Sequence, residues 1–302
     1  MKIFKSLASG FCRTLKAWKG ILLIWFGSLL MVSLVALPLK GFLKSGLDGS
    51  MINERLRDGL DIEVLGDLGS VFKGMMASLP AGLLLLLLLG ILLYAFLSGG
   101  IFDSLRGSAS KFTGNEFFSA CARNFWPFLV ISLIIGAIIL VLFFLVLILP
   151  ISIVTQSDSG SGTSVFLIVK ISAAIFLFLA IIFILVADYA RAWQAANDRS
   201  DCFRAIGFGF TRTFGKLLSS FPMMLILVAI TMLFTSLVLS LIGRWTPDSG
   251  GGVFLLFIIS QLLFFVKSGL KVWRYGSVTA LKEINDVREQ KLEIVVNPII
   301  EV

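Results

Sequence analysis

The sequence contains no histidine and only three cysteines and three tyrosines among its 302 residues. Without histidine the chain lacks the one side chain whose ordinary pKa lies near neutral pH, and it cannot form histidine-containing zinc or iron sites. The three cysteines, Cys12, Cys121 and Cys202, contain no Cys-x-x-Cys pair. Because they lack the spacing of a metal or redox motif, we predict no metal and no cofactor.

Charged residues are also scarce. They make up 15% of the chain, whereas hydrophobic residues make up 58%, and a water-soluble domain needs more polar side chains than this to cover its surface. The composition therefore predicts a membrane protein. In such a protein the net charge of +8 sets the orientation of the chain in the membrane and attracts anionic lipids. Nucleic acid is therefore not an expected partner.

Six apolar runs are long enough to cross the hydrocarbon core as helices, which takes about 20 residues. They cover residues 21–39, 79–97, 128–149, 164–187, 217–242 and 253–270. Of the 26 Lys and Arg residues, 19 lie on the same side of these spans as the N-terminus. Since cytoplasmic loops carry the excess of Lys and Arg, we predict that both chain ends are cytoplasmic.

The segment before the first span has the pattern of an amphipathic helix. Residues 4–18 carry Phe, Leu or Trp at every third or fourth position, which places these side chains on one helix face. The pattern returns 199 residues later, where residues 209–213 repeat the Gly, Phe, Arg and Thr of residues 10–14. A weaker copy at residues 117–128 follows the first by 110 positions.

We therefore predict an all-α integral membrane fold with six transmembrane helices, built as three repeats of a cytoplasmic in-plane amphipathic helix plus a transmembrane hairpin. The units cover about residues 1–110, 111–200 and 201–275 of a single membrane domain. Residues 276–302 form a cytoplasmic tail, in which residues 292–297 alternate like a short strand or remain disordered. A strand there would offer an edge to a protein partner.

Five basic residues of the in-plane helices are candidates for binding the headgroups of anionic lipids. Arg13, Arg123 and Arg212 occupy equivalent positions in the three units, and Lys5 is equivalent to Arg204. Guanidinium groups match phosphate oxygens well, and clustered basic residues beside a membrane attract anionic lipids. The same residues would also serve simply to set the orientation of the chain, and both interpretations stay open.

Polar residues inside the spans define an alternative site. Lys170, Thr231, Thr235 and Gln261 would line the path of a transporter or channel for a lipid-like or small amphipathic solute. Each also has a structural interpretation. Lys170 would extend its amine to the headgroups, and the other three would form hydrogen bonds within or between helices.

A membrane lipid enzyme is the third possibility. It would require Asp188, Asp198 and Asp201 to converge on one cleft and to hold a divalent metal against a phosphate. The sequence has no P-loop, no Gly-x-Ser-x-Gly motif and no His-Glu-x-x-His motif, so no established catalytic pattern supports this reading. The nearby Arg191, Arg199 and Arg204 favour a solvated loop of ion pairs instead. We therefore expect a protein that is not an enzyme.

The three-unit layout, the Ser98-Gly99-Gly100 motif and the segment 209–212 resemble a broad group of bacterial polytopic membrane proteins. Some members of this group are membrane domains of glycerophosphoryl diester phosphodiesterases, whose catalytic residues lie in a separate soluble domain that we do not expect here. The resemblance implies residence in a bacterial inner membrane and supplies no catalytic residue. Together with the basic helices, it predicts a scaffold or assembly factor that binds anionic lipid headgroups.

Overall fold

A computed structural model describes residues 2–47, 69–107, 113–156, 162–197, 201–245 and 249–296. Over these residues the backbone is helical almost throughout and contains no strand. The all-α class predicted from the apolar runs is therefore confirmed.

The described residues form nine α-helices and one π-helical segment. The helices are α1 (Lys2–Lys16), α2 (Trp18–Leu47), α3 (Gly69–Ser104), α4 (Gly114–Leu142), α5 (Leu149–Gln156), α6 (Gly162–Ala196), α7 (Cys202–Gly215), α8 (Leu217–Gly243) and α9 (Gly250–Val296). The π-helical segment, Phe143–Ile148, joins α4 to α5.

Five stretches of the described chain have the length and hydropathy of membrane spans. They are Leu79–Ser104, Gly114–Val154, Val165–Ala196, Leu217–Gly243 and Gly250–Gln290. A sixth is counted if α1 and α2, which are bent by 69° at the break between them, are taken as one span. The first predicted span, residues 21–39, lies within α2. The chain is thus a multi-pass membrane protein.

The first and third amphipathic segments are separate helices. α1 ends at Lys16 and α2 begins at Trp18, while α7 ends at Gly215 and α8 begins at Leu217. The two residues at these breaks, Ala17 and Lys216, are 199 positions apart. The breaks therefore occur at the same position of the predicted repeat.

The second amphipathic segment differs from the prediction. Residues 117–128 do not form a separate helix, because α4 runs without a break from Gly114 to Leu142. Pro127 stands 110 positions after Ala17, where a break was expected. A proline removes one backbone hydrogen bond of a helix, but α4 continues through it with Pro127, Phe128 and Leu129 all buried.

The structure also corrects the prediction for the C-terminal segment. The strand predicted at residues 292–297 is wrong over residues 292–296, because α9 continues as a helix to Val296. Residues 297–302 lie outside the described chain. Extending an existing helix adds one hydrogen bond per ordered residue, whereas an isolated strand has no partner for its backbone groups.

Contacts divide the chain into two compact units, residues 23–94 and the remainder of the chain. In the smaller unit, exposed apolar side chains along the described parts of α2 and α3 include Leu30, Leu34 and Leu84. In the larger unit, the buried residues gather at one end of the helices. We call this region the packed end. It comprises α1, α7 and residues 95–106, 117–135, 181–195, 220–227 and 268–285.

Two apolar clusters form the core of the packed end. One contains Leu185, Met223 and Leu281, and the other is built around Ile131 and Val186. Towards the opposite ends of α6, α8 and α9, large apolar side chains are exposed, among them Leu167, Leu233 and Phe254. Such side chains are suited to contact with lipid, because acyl chains are as apolar as the side chains themselves.

Candidate functional site: the packed end of the helices

α1 crosses α9 so closely that their backbones touch. A Cβ atom placed on Gly10 would lie 2.5 Å from the backbone nitrogen of Ser277, and one placed on Gly276 would lie 2.8 Å from the Gly10 carbonyl oxygen. Real Cβ contacts are not this short, so only glycine fits at either position. The indole of Trp273 also donates a 2.9 Å hydrogen bond to the carbonyl of Leu7. These contacts hold α1 against α9.

α7 crosses α6 in the same manner. A Cβ atom on Gly209 would lie 2.5 Å from the carbonyl oxygen of Val186 and 3.3 Å from the Cβ of Ala190. Gly209 is the residue that the repeat aligns with Gly10. The sequence repeat that the two amphipathic segments share therefore includes the glycine at which each helix closely approaches its neighbour.

A third close crossing joins α4 to α3. A Cβ atom on Gly100 would lie 2.8 Å from the Phe117 carbonyl oxygen, and one on Gly99 would lie 3.1 Å from that of Ala120. Ala120 stands 110 positions after Gly10. A small residue thus occupies the same repeat position at all three crossings.

Arg13 connects α1 to two other helices. Its Nη2 lies 2.7 Å from Oε2 of Glu283 on α9, and its Nη1 donates a 3.0 Å hydrogen bond to the carbonyl of Leu105, just beyond α3. The other carboxylate oxygen of Glu283 accepts a 2.9 Å hydrogen bond from the Gly107 backbone. Arg13 therefore joins three segments of the packed end.

Arg212 makes the corresponding contacts from α7. Its guanidinium donates a 2.6 Å hydrogen bond to Oε2 of Glu289 and also contacts the carboxylate of Asp286. Lys216, at the break after α7, pairs with Glu289 as well. The hydrogen bonds to Glu289 raise the pKa of Arg212 against the opposing effect of burial, and the charge of Asp286 adds to the increase.

The carboxylates that receive these arginines were missed in the sequence analysis, which treated residues 276–302 as a tail. Glu283, Asp286 and Glu289 are three residues apart and therefore lie close together along one side of α9. That spacing was the available signal. The polar part of α9 is a structural element of the packed end.

Substitution of Arg212 by glutamine is expected to loosen α7. The change removes a guanidinium group that is 14% exposed, and Asp286 and Glu289 lose this hydrogen-bond donor. We therefore expect a loss of about 1.5 kcal/mol in the free energy of unfolding. Thermal unfolding of the purified protein in detergent would measure it. Arg204→Gln is the matched control, since Arg204 lies on the same helix and is 64% exposed. Equal effects of both changes would contradict the assignment.

The remaining three basic candidates are more exposed. Arg123 is 47% exposed and lies 3.3 Å from Asp103. Arg204 lies 3.8 Å from Asp201, and Lys5 is exposed on α1. The structure thus separates the five predicted residues by exposure. Arg13 and Arg212 are mostly buried, whereas Lys5, Arg123 and Arg204 are exposed.

A buried ionic cluster joins α6 to α9. Asp188 is fully buried and lies 2.8 Å from Nε of Arg274 and 3.4 Å from Nη1 of Arg191. Arg191 also donates a 3.0 Å hydrogen bond to Oγ of Ser132 on α4. Because one carboxylate meets two guanidinium groups, the cluster has more positive than negative groups. The sequence predicted that Asp188 belongs to a solvated loop of ion pairs with Arg191 among its members, whereas the carboxylate is buried and its closest partner is Arg274.

The three aspartates of the enzyme alternative do not share an environment. Asp188 is buried between arginines, Asp201 is exposed, and Asp198 lies outside the described residues. Within the described parts of the chain, no three potential metal ligands lie together. Cys12 is exposed, Cys121 is buried and Cys202 is half-buried.

The polar residues of the spans are dispersed. The exposed Lys170 places its amine 4.3 Å from the ring centre of Phe166. Thr231 and Thr235 each donate a 2.8 Å hydrogen bond to the carbonyl four residues earlier. Thr235 lines a cavity of about 180 Å³ between α8 and α9, but Lys170, Thr231 and Gln261 are not part of its walls.

Together these observations define an all-α, multi-pass membrane protein whose helix ends are joined by glycine contacts and ion pairs. Comparison with protein families, with curated proteins and with solved structures finds no match.

Proposed function

We propose that this protein is a non-enzymatic scaffold or assembly factor of a bacterial inner membrane that binds anionic lipid headgroups at its packed end. The observation that carries the proposal is the accessibility of Lys5, Arg123 and Arg204 on three different helices of that end. Basic residues at a membrane surface attract anionic lipids, with about 1 kcal/mol for each charge. Both termini would then be cytoplasmic, as the distribution of Lys and Arg predicts.

We propose that only three of the five predicted basic residues contact lipid. Arg13 and Arg212 are mostly buried. Arg13 pairs with Glu283, and Arg212 pairs with Asp286 and Glu289. We assign these two arginines to holding α1 and α7 in place. Lys5, Arg123 and Arg204 then supply the charge that lipid headgroups meet.

We also propose that the helix crossings of the packed end link the three predicted units to one another. The crossing of α4 on α3 joins the second unit to the first, and that of α7 on α6 joins the third to the second. The crossing of α1 on α9 joins the first unit to the third. Each amphipathic segment therefore packs on the end of another unit's hairpin, which suits a rigid scaffold.

The other expectations have less support. A solute path would need Lys170, Thr231, Thr235 and Gln261 to line one cavity, and the cavity at Thr235 does not include the other three. The resemblance to phosphodiesterase membrane domains and a protein partner at the C-terminal segment stay predictions.

The proposal predicts selective lipid retention. Purified from membranes in mild detergent, the wild-type chain is expected to carry more phosphatidylglycerol and cardiolipin, relative to phosphatidylethanolamine, than the bulk membrane. In Lys5→Gln/Arg123→Gln/Arg204→Gln, this ratio should fall towards the bulk value because three accessible charges are lost. Mass spectrometry of the extracted lipid would measure the ratio.

The control variant is Lys170→Gln/Arg244→Gln, which removes two exposed cations at the opposite ends of α6 and α8. It is expected to retain the wild-type ratio. An unchanged ratio in the triple variant, or an equal decrease in the control, would refute binding at the packed end.

A further inference from the structure

A groove of about 950 Å³ lies beside the break between α1 and α2. Its charged walls comprise four basic and two acidic side chains, Arg13, Lys16, Lys19, Arg106, Asp103 and Glu116. Leu15 and Trp18, which also line it, are 59% and 51% exposed. The groove therefore combines a positive interior with accessible apolar side chains. We call it the first hinge groove.

A second hinge groove, of about 590 Å³, lies beside the break between α7 and α8. It is lined by residues 214–219 together with Asn285, Arg288 and Glu289 of α9. Residues 214–219 stand 199 positions after residues 15–20, of which residues 15–19 line the first groove. The two grooves thus occur at the same position of the predicted repeat, where the amphipathic helix ends and the span begins.

The helix breaks create the space. At Ala17 and at Lys216 the chain interrupts one helix and starts another, whereas α4 continues through the equivalent Pro127. The second unit therefore has no corresponding break beside which a groove would open. Two of the three equivalent positions therefore combine a helix break with a groove.

We propose that the hinge grooves bind the phosphate-bearing headgroup of an anionic phospholipid, the first more tightly than the second. Phosphate oxygens accept hydrogen bonds from ammonium and guanidinium groups. In the first groove Lys16 and Lys19 supply ammonium groups, and Arg13 and Arg106 supply guanidinium groups that are held by carbonyls and carboxylates. This inference rests on the proposed lipid-binding function and assigns its tight sites.

The position of the first groove favours a lipid over a soluble anion. Trp18 is the first residue of α2, and tryptophan side chains prefer the interface between headgroups and acyl chains. A headgroup held by Lys16 and Lys19 would leave its acyl chains next to Leu15 and Trp18. The second groove has the same arrangement with Leu218, which is 94% exposed, but fewer basic side chains.

Native mass spectrometry of the full chain in detergent, titrated with phosphatidylglycerol, would test the assignment. We expect two retained phosphatidylglycerol molecules and no comparable retention of phosphatidylcholine. Lys16→Gln/Lys19→Gln should weaken the tighter site about thirtyfold, because two charges are lost. Lys16→Arg/Lys19→Arg should preserve it, and Arg288→Gln should weaken the other site about fivefold.

Lys170→Gln/Arg244→Gln is the matched control, because both residues are exposed and neither lines a groove. It should retain both bound lipids. Loss of the two lipids in Lys5→Gln/Arg123→Gln/Arg204→Gln, with retention in Lys16→Gln/Lys19→Gln, would overturn the groove assignment and leave the proposed function intact. Equal retention of phosphatidylglycerol and phosphatidylcholine by the wild type would overturn both. Displacement by millimolar inorganic phosphate would show that the groove binds a free anion and would overturn the lipid assignment.

Discussion

Replacement of Asp188 by asparagine is expected to lower the free energy of unfolding by about 3 kcal/mol, the typical cost of removing one partner from a buried ion pair. Asp188 is fully buried and meets both Arg274 and Arg191. The neutral amide would leave two guanidinium groups at the packed end without an anion. Thermal unfolding in detergent, followed by circular dichroism, would measure the change.

Asp201→Asn is the control for this experiment, because Asp201 is 54% exposed and also lies beside an arginine. It is expected to change the stability by less than about 0.5 kcal/mol. The double variant Asp188→Leu/Arg274→Leu should lose less than the two single changes combined, since it removes both charges of the closest pair. Equal melting of Asp188→Asn and Asp201→Asn would refute a stabilising role for the cluster.

Addition of a single methyl group at Gly209 is the second change with a large expected effect. In Gly209→Ala the new Cβ would lie 2.5 Å from the backbone carbonyl oxygen of Val186. Since the contact is with backbone, a side-chain rotation cannot relieve it, and α7 must move away from α6. We expect a loss of about 2 kcal/mol, and Gly10→Ala should act in the same way on α1.

Gly207→Ala provides the contrast, two residues away on the same helix. A Cβ atom there has no neighbour within 4 Å, so the change should stabilise α7 by up to about 1 kcal/mol through higher helix propensity. Melting temperatures of the three variants in one detergent would give the comparison. A Gly209→Ala variant as stable as Gly207→Ala would show that the crossing at Gly209 tolerates separation.

The spans were predictable because hydropathy is a local property of the chain. The fifth predicted span, residues 217–242, agrees with α8 within one residue, and the breaks at Ala17 and Lys216 follow from the repeated pattern before each span. The second unit of the pattern shows the limit of this reasoning. The same spacing at residues 117–128 was compatible with a separate helix, yet the burial of Phe117 and Phe128 belongs to the continuous α4.

The candidate site was predictable only in part. The repeat identified Arg13 and Arg212 as important positions, but their carboxylate partners are 270 and 74 residues away in the chain. No local pattern indicates which acidic residue a given arginine meets. Asp188 was interpreted as part of a solvated ion-pair loop, with a metal cleft shared with Asp198 and Asp201 as the alternative, because sequence proximity does not show that α6 buries Asp188 against Arg274 of α9.

By itself the amino-acid sequence determined the environment of this protein, because a chain with so few charges and so many apolar residues is stable only with its helices in lipid. It also determined where helices begin and where small residues recur, since these depend on neighbours along the chain. Only the tertiary structure decided which charges are accessible. Arg13 and Arg204 look alike in sequence, but long-range packing gives Arg13 a carboxylate partner on another helix and leaves Arg204 at the surface.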